Sequence, residues 1–320
     1  MYMFKYILKR LGLMLMTFTI IMVISFVLIK LLPIVIDVSI GTDAEIIKNQ
    51  LKARGYYDPI IVQLFNYVKR IVIYGDLGIC VNLPAFRNQP VWDVFVSKLP
   101  PTILINVYSS LIAVPIGIAL GIFAALKKNK WQDHVISTGV MLFISVPSFI
   151  YAFLVQYLFC FVLNWFPLQM LSGFDYFSWP MFKSMLPAVI SMSFGSIAGY
   201  ARFTRAELTE VLTSEFMLLA RTKGLTKAQA TTRHALRNAM VPIFPSIIGE
   251  FISVLSGSLI IENIFSVPGV GGLFLDAINY KDYDMFMMLS GFYILIGLAA
   301  SIVIDISYGI IDPRIRMGAK

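Results

Sequence analysis

Apolar runs of bilayer length alternate with shorter polar segments along most of the chain. Residues 11–32 are apolar for about the 20 positions that cross a hydrocarbon core. Further runs at 102–126, 134–163, 185–203, 241–261 and 285–308 predict five more spans. The first run is too long for a signal-peptide core and lacks a small-residue cleavage site, so an uncleaved helix is expected. Lys30 stands near its far end, where its ammonium can extend to the interface. Pro115, Gly117 and Gly121 occupy the second run; small residues there let helices approach closely. Pro147 predicts a kink in the third.

Two polar interludes are long enough to hold structure. In the first, 33–101, Asp58 and Pro59 form an N-cap and first-turn pair. Ile61, Leu64, Phe65 and Val68 follow at helical spacing, and Gly75 to Gly78 is a turn signal. The second, 204–240, predicts two short helices. Ser214 caps a helix starting at Glu215, whose carboxylate suits the positive end of the helix dipole. Phe216, Leu219, Ala220 and Lys223 share one face, and Gly224 ends the helix in a left-handed conformation. Thr226 and Gln229 form a capping box for a second helix expected to stop before Pro242. The expected domains are 1–32 (cytoplasmic N-terminus and first span), 33–101 (external cap) and 102–320 (five-helix core).

Composition narrows the class. The chain is 58% hydrophobic and only 14% charged, and its mean hydropathy is +0.80. Soluble domains carry about a quarter charged residues. The net charge of +8 does not indicate nucleic acid, because basic residues cluster at the ends of apolar runs. With both termini inside, 16 of 26 Lys and Arg fall on cytoplasmic segments, including Arg205, Arg221, Lys223, Lys227, Arg233 and Arg237. The sequence thus predicts an all-α integral membrane protein with six transmembrane helices and an external segment after the first.

Catalytic motifs are absent. There is no G-x-x-x-x-G-K-[ST] loop, so no ATP site is expected on this chain, and no H-E-x-x-H or G-x-S-x-G. Cys80 and Cys160 form no C-x-x-C and are not expected to bridge; His134 and His234 are too few for a histidine-rich metal site. Three carboxylates fall at membrane depth. Glu250, near the middle of the fifth span, is the candidate for a translocation path or for a bond to a neighbouring helix. Glu262 and Asp305 are expected near interfaces, where charge is cheap.

The strings ARTKGL and RHALRNAMVP resemble the EAA loop of ABC-transporter permeases in the oligopeptide/dipeptide/nickel branch, with Ala220, Gly224, His234, Ala235, Asn238 and Pro242 at matching positions. Leu218-Leu219-Ala220 stands where the general pattern has Glu-Ala-Ala. The segment IENIFSVPGVGGLF resembles the element after the fifth helix, YGIIDPRIR resembles the C-terminal ending, and the D-P-x-x-x-Q helix before GDLG resembles the external region of B-type peptide permeases. This resemblance implies a type I importer fold in a prokaryotic cell membrane. It assigns Glu215, Phe216, Leu219, Ala220, Arg221, Lys223 and Gly224 to ATPase coupling, and Glu262, Phe265, Pro268, Gly269 and Gly271 to an external gate. Implied partners are a second permease, two ATPases carrying ATP and Mg, an extracytoplasmic substrate-binding protein and the lipid bilayer. Peptide is the expected substrate, with nickel or another small solute as the alternative. An ion-coupled secondary transporter is the reading from another class; it would need an ion-binding constellation and repeated halves, neither of which is evident.

Overall fold

The computed structural model describes residues 2–32, 49, 52–53 and 55–311, with side chains from residue 8. The described residues are almost entirely helical. In chain order the helices are α1 (Tyr2–Leu31), α2 (Ile60–Tyr74), α3 (Val91–Leu126), α4 (Trp131–Ser145), α5 (Ser148–Val155), α6 (Trp179–Leu212), α7 (Glu215–Thr222), α8 (Lys227–Ala230), α9 (Leu236–Ser253), α10 (Leu259–Ile264), α11 (Val270–Asn279) and α12 (Tyr283–Ile311). The tail from Asp312 lies outside the described residues.

Among the described residues, five stretches are long and apolar enough to cross a bilayer: Leu8–Leu31, Val91–Leu126, Trp179–Leu212, Lys227–Ser256 and Tyr283–Ile311. A sixth arises if Trp131–Ser145 and Ser148–Val162 count as one broken span. The Pro147 kink is a break of 102°. Proline lacks the amide hydrogen that would continue the ladder and pushes Val146 into extended backbone, φ −83° and ψ 127°. Several helices outrun their apolar runs: α3 starts at Val91 rather than 102, and α6 runs to Leu212 rather than 203. Polar residues at these ends satisfy helical backbone as readily as apolar ones do, so hydropathy under-reads their length.

The chain divides into two compact units, Met1–Pro100 with Val270–Leu298, and Pro101–Gly269 with Ala299–Lys320. In the first unit, α2 carries Ile60, Leu64 and Tyr67 onto Phe26 and Ile29 of α1 and Met287 of α12. The N-cap falls at Pro59, one residue after the expected Asp58, so no side chain caps the helix; Gln63 reaches back instead, its amide donating to the carbonyls of Tyr56 (3.1 Å) and Asp58 (2.7 Å). Arg70 donates to both carboxylate oxygens of Asp284. The Lys30 ammonium does not reach out freely: it lies 4.0 and 3.9 Å from the ring centroids of Tyr56 and Tyr283. Asp282 is fully buried and accepts backbone N–H groups from Val81 (2.7 Å), Asn82 (2.8 Å) and Met285 (3.2 Å), pinning the 80–83 turn to the start of α12. Burial pushes its carboxyl above the usual range, and those N–H donors oppose the shift.

In the second unit, α6 packs on α4, α5 and α9. Gly117 and Gly121 of α3 meet α6 so closely that a Cβ at either would lie 2.6–2.8 Å from Tyr200, Ile197, Thr204 or Ala201 atoms. Tight backbone approach of this kind is how membrane helices gain packing without a hydrophobic driving force.

Candidate functional site

The polar segment after α6 folds as an elbow. Ser214 sits at the N-cap of α7 but makes no capping bond; its hydroxyl donates to the Val211 carbonyl at 2.6 Å. At the other end Lys223 is the C-cap and Gly224 follows with φ +90°. The Leu225 N–H reaches the Ala220 carbonyl (3.3 Å) and the Gly224 N–H reaches that of Arg221 (3.0 Å), which is a Schellman closure. The capping box forms as expected, with Gln229 N–H on the Thr226 hydroxyl and Thr226 N–H on the Gln229 amide oxygen.

The faces of α7 differ from the expected single stripe. Met217 (4% exposed) and Ala220 (9%) pack inward with Leu208, Ala125, Ala230 and Ala235. Phe216, Leu218 (64%) and Leu219 (56%) face outward. Ala220 therefore belongs to the inner support of α7, whereas Phe216 and Leu219 remain on the free side with exposed Lys223; exposed Arg221 lies on the opposite flank, next to Met217. The spacing of Phe216, Leu219 and Ala220 could not separate the two faces, since apolar residues stand on both.

The second helix of the elbow does not stop before Pro242. α8, a π-helical turn at Thr231–Ala235 and α9 form one continuous stretch from Lys227 to Ser256 with Pro242 and Pro245 inside it. Prolines are tolerated in membrane helices where neighbours resatisfy the freed backbone groups. Glu250 lies in the last turn of α9. It accepts a hydrogen bond from Ser196 of α6 at 2.9 Å, while Tyr200 of α6 donates to the Ser246 carbonyl at 3.1 Å. These bonds tie α6 to α9.

Glu262 is enclosed by the protein itself. It is 1% exposed, in α10, and accepts from the Thr102 hydroxyl (3.1 Å) and the Ser258 N–H (3.3 Å). Two glycines make the room. A Cβ on Gly257 would lie 2.4 Å from Glu262 Oε1, and one on Gly269 would lie 2.4 Å from both Glu262 Oε2 and Thr102 Oγ1. Phe265 is buried among Met170, Met181 and Ile261, and its carbonyl accepts the Met170 N–H at 3.0 Å. Gln156 donates to the Ile264 carbonyl at 2.9 Å. Pro268 is exposed, and Gly271 is buried within α11 in the first unit. The loop around Glu262 is thus a fixed, hydrogen-bonded structure and not a flexible linker.

Asp133 and Arg205 form a clamp that sequence reasoning missed. Asp133 is buried at the start of α4 and accepts from Arg205 of α6, the Asn129 N–H and Ser137. Sequence offered only a partial signal, an acidic residue in a first turn beside a lysine-rich bend; nothing local pairs it with an arginine 72 positions on. Among the described residues, no group of three or more His, Cys, Asp or Glu converges where a metal ion would sit.

Residues 117–317 match the family described as "Binding-protein-dependent transport system inner membrane component". The chain is 33% identical to the dipeptide transport system permease protein DppB of Lactococcus lactis subsp. cremoris (strain MG1363), over 98% of this chain and all of that protein. It is 33% identical to DppB of Bacillus subtilis (strain 168), over 99% of each. It is 31% identical to the oligopeptide transport system permease protein OppB of Escherichia coli (strain K12), over 98% of this chain and all of that one. A solved structure titled "Crystal structure of an amino acid ABC transporter with histidines" superposes with a TM-score of 0.50 at 19% identity, covering 67% of this chain and 92% of that one. The helical architecture, the spans and these full-length likenesses agree: the chain belongs to the binding-protein-dependent inner-membrane components and is a permease subunit of an ABC importer.

Proposed function

We propose that this permease carries peptides inward as one of two permease subunits, driven by two ATPase subunits and supplied by an extracytoplasmic substrate-binding protein. ATP and Mg belong to the ATPases, and this chain performs no covalent chemistry. Both termini and the 204–240 elbow face the cytosol of a prokaryotic cell. The outer face of α7 (Phe216 and Leu219, with Lys223 beside them) docks on an ATPase, and Glu215 and Arg221 stand at the rim of that contact. Gly224 sets the angle of that dock. The observation that carries this reading is a row of exposed apolar side chains on a helix whose other face is firmly packed. Exposed apolar rows of this kind mark interaction sites.

Nucleotide closure of the ATPases would move the elbow as a body and bias the bundle between two arrangements. Glu250 lines the path, and the segment with Glu262, Phe265, Pro268, Gly269 and Gly271 closes its outer end. Peptide rather than nickel is favoured because the full-length relatives are named for dipeptides and oligopeptides.

The test is uptake by the co-purified complex in proteoliposomes. Labelled dipeptide should enter only with internal ATP and external binding protein. Glu250→Gln keeps an acceptor for Ser196 but removes the charge, so it should lower uptake while leaving assembly intact; unchanged uptake removes Glu250 from the path. Uptake driven by an ion gradient without nucleotide would overturn the reading as a whole.

A further inference from the structure

A cleft of about 570 Å³ lies behind α7, between it, the bend after α3 and the end of α6. Lys128, Lys130, Arg221 and Lys227 line it, against a single carboxylate, Glu215. Among the described residues none of the four cations is held in an ion pair. Thr209 also lines the cleft, and its hydroxyl oxygen is shielded from solvent with no hydrogen-bond partner among the described residues. Buried hydroxyls are normally satisfied, and rotation about the Cα–Cβ bond of Thr209 would offer this one to a group in the cleft.

The bend that carries two of the lysines is fixed. Asn129 has φ +65°, its N–H is held by Asp133, and Lys130 N–H closes on the Lys127 carbonyl at 2.9 Å. Lys128 and Lys130 are therefore presented by a set backbone. Like charges gathered this way repel one another, and a multivalent anion would offset that repulsion. Phosphate fits the donor set: its oxygens accept from ammonium, guanidinium and hydroxyl groups together. The cleft also begins at Leu126, where a membrane-spanning helix ends. Basic pockets at that depth on the cytoplasmic side suit phospholipid headgroups.

We propose that this cleft binds a phosphate group, carried by an anionic phospholipid of the cytoplasmic leaflet or by free phosphate, and that the bound anion braces α7 against the bend after α3. The choice of leaflet rests on the orientation proposed above; the phosphate chemistry does not.

The experiment uses the full transporter, and the permease pair alone, in nanodiscs of phosphatidylcholine with or without phosphatidylglycerol. Native mass spectrometry reads the lipid retained, and equilibrium dialysis with radiolabelled inorganic phosphate reads the soluble source. The wild type should hold phosphatidylglycerol, with roughly tenfold weaker retention in Lys128→Gln/Lys130→Gln because two charge-assisted bonds are lost. Thr209→Val should weaken retention without altering net charge. Phosphate binding in the absence of anionic lipid would assign the site to the solute. Equal lipid retention in wild type and both variants with no phosphate bound overturns the proposal. So does lipid held by the permease pair but expelled from the full complex, which would give the cleft to the ATPase. Failure to recover ATPase subunits would sink the coupling proposal and still leave the lipid count on this chain readable.

Discussion

Arg205 donates from Nε and Nη2 to the two carboxylate oxygens of Asp133, at 2.5 and 2.8 Å. The pair joins the first turn of α4 to α6 at the point where α6 leaves its apolar run. Asp133 is buried while Arg205 is about one-third exposed. Removing the partner of a buried charge costs ~3–5 kcal/mol, and solvent at the arginine side brings the expected loss for Arg205→Ala to about 2 kcal/mol. Arg205→Lys should fall between, since an ammonium cannot make the two-pronged contact. Thermal unfolding of the purified permease in nanodiscs checks this; equal midpoints for all three proteins would dismiss the clamp.

Around Glu262 the critical positions are the glycines. Gly269→Ala would drive a methyl into Glu262 and Thr102, both held in place. Gly257→Ala would add the strain of φ +64° to a similar collision. Each substitution should reduce uptake by roughly tenfold or more, the scale expected when a strained backbone or overpacked site costs about 1–3 kcal/mol. Thr102→Ser, which keeps the hydroxyl, should be tolerated. Uptake per copy of permease in the membrane is the measurement, and wild-type rates in Gly269→Ala would count against a role for this close packing around Glu262.

The two faces of α7 make opposite predictions. Leu219→Ser on the outer face should leave the permease as stable as before and lower binding-protein-stimulated ATP hydrolysis. Met217→Ser on the inner face should destabilise the permease itself by about 2–4 kcal/mol, since it deletes a buried side chain and buries a hydroxyl. Gly224→Val forces a β-branched residue into the left-handed region at a cost above the usual ~1–2 kcal/mol, and should uncouple hydrolysis from uptake. Parallel assays of unfolding and of ATPase stimulation separate the faces; a common loss of stability in all three variants would mean that α7 is merely structural.

Cys80 should resist thiol reagents. It is fully buried, and burial together with the charges of Asp282 and Asp284 pushes its thiol up to about 12. The thiolate is the reactive form, so labelling by a maleimide at pH 7 to 8 should proceed only after unfolding. Rapid modification of the folded Cys160→Ser variant would show that the 80–83 turn opens.

Hydropathy located the five long apolar helices and the broken pair around Pro147, because twenty apolar residues in a row have few other uses. What it could not place were the ends. Val91 to Pro101 is too mixed to read as membrane helix, yet it continues α3. The capping box at Thr226 and Gln229 and the left-handed Gly224 were legible because both depend on neighbours within three residues. By contrast, the Asp133–Arg205 clamp and the Thr102–Glu262 bond join residues 72 and 160 positions apart, and no local pattern encodes them. Pro242 misled in the other direction. In water a proline usually ends a helix; in a membrane bundle the freed carbonyl finds another partner, so the helix runs on.

That uninterrupted stretch from Lys227 to Ser256 has a mechanical corollary. Thirty residues at 1.5 Å each give a stretch ~45 Å long whose helical course is carried through a π-helical turn and two prolines. A tilt of roughly ten degrees imposed at the elbow would sweep the opposite tip through about 8 Å, so a small stroke delivered at one membrane surface becomes a wide excursion at the other.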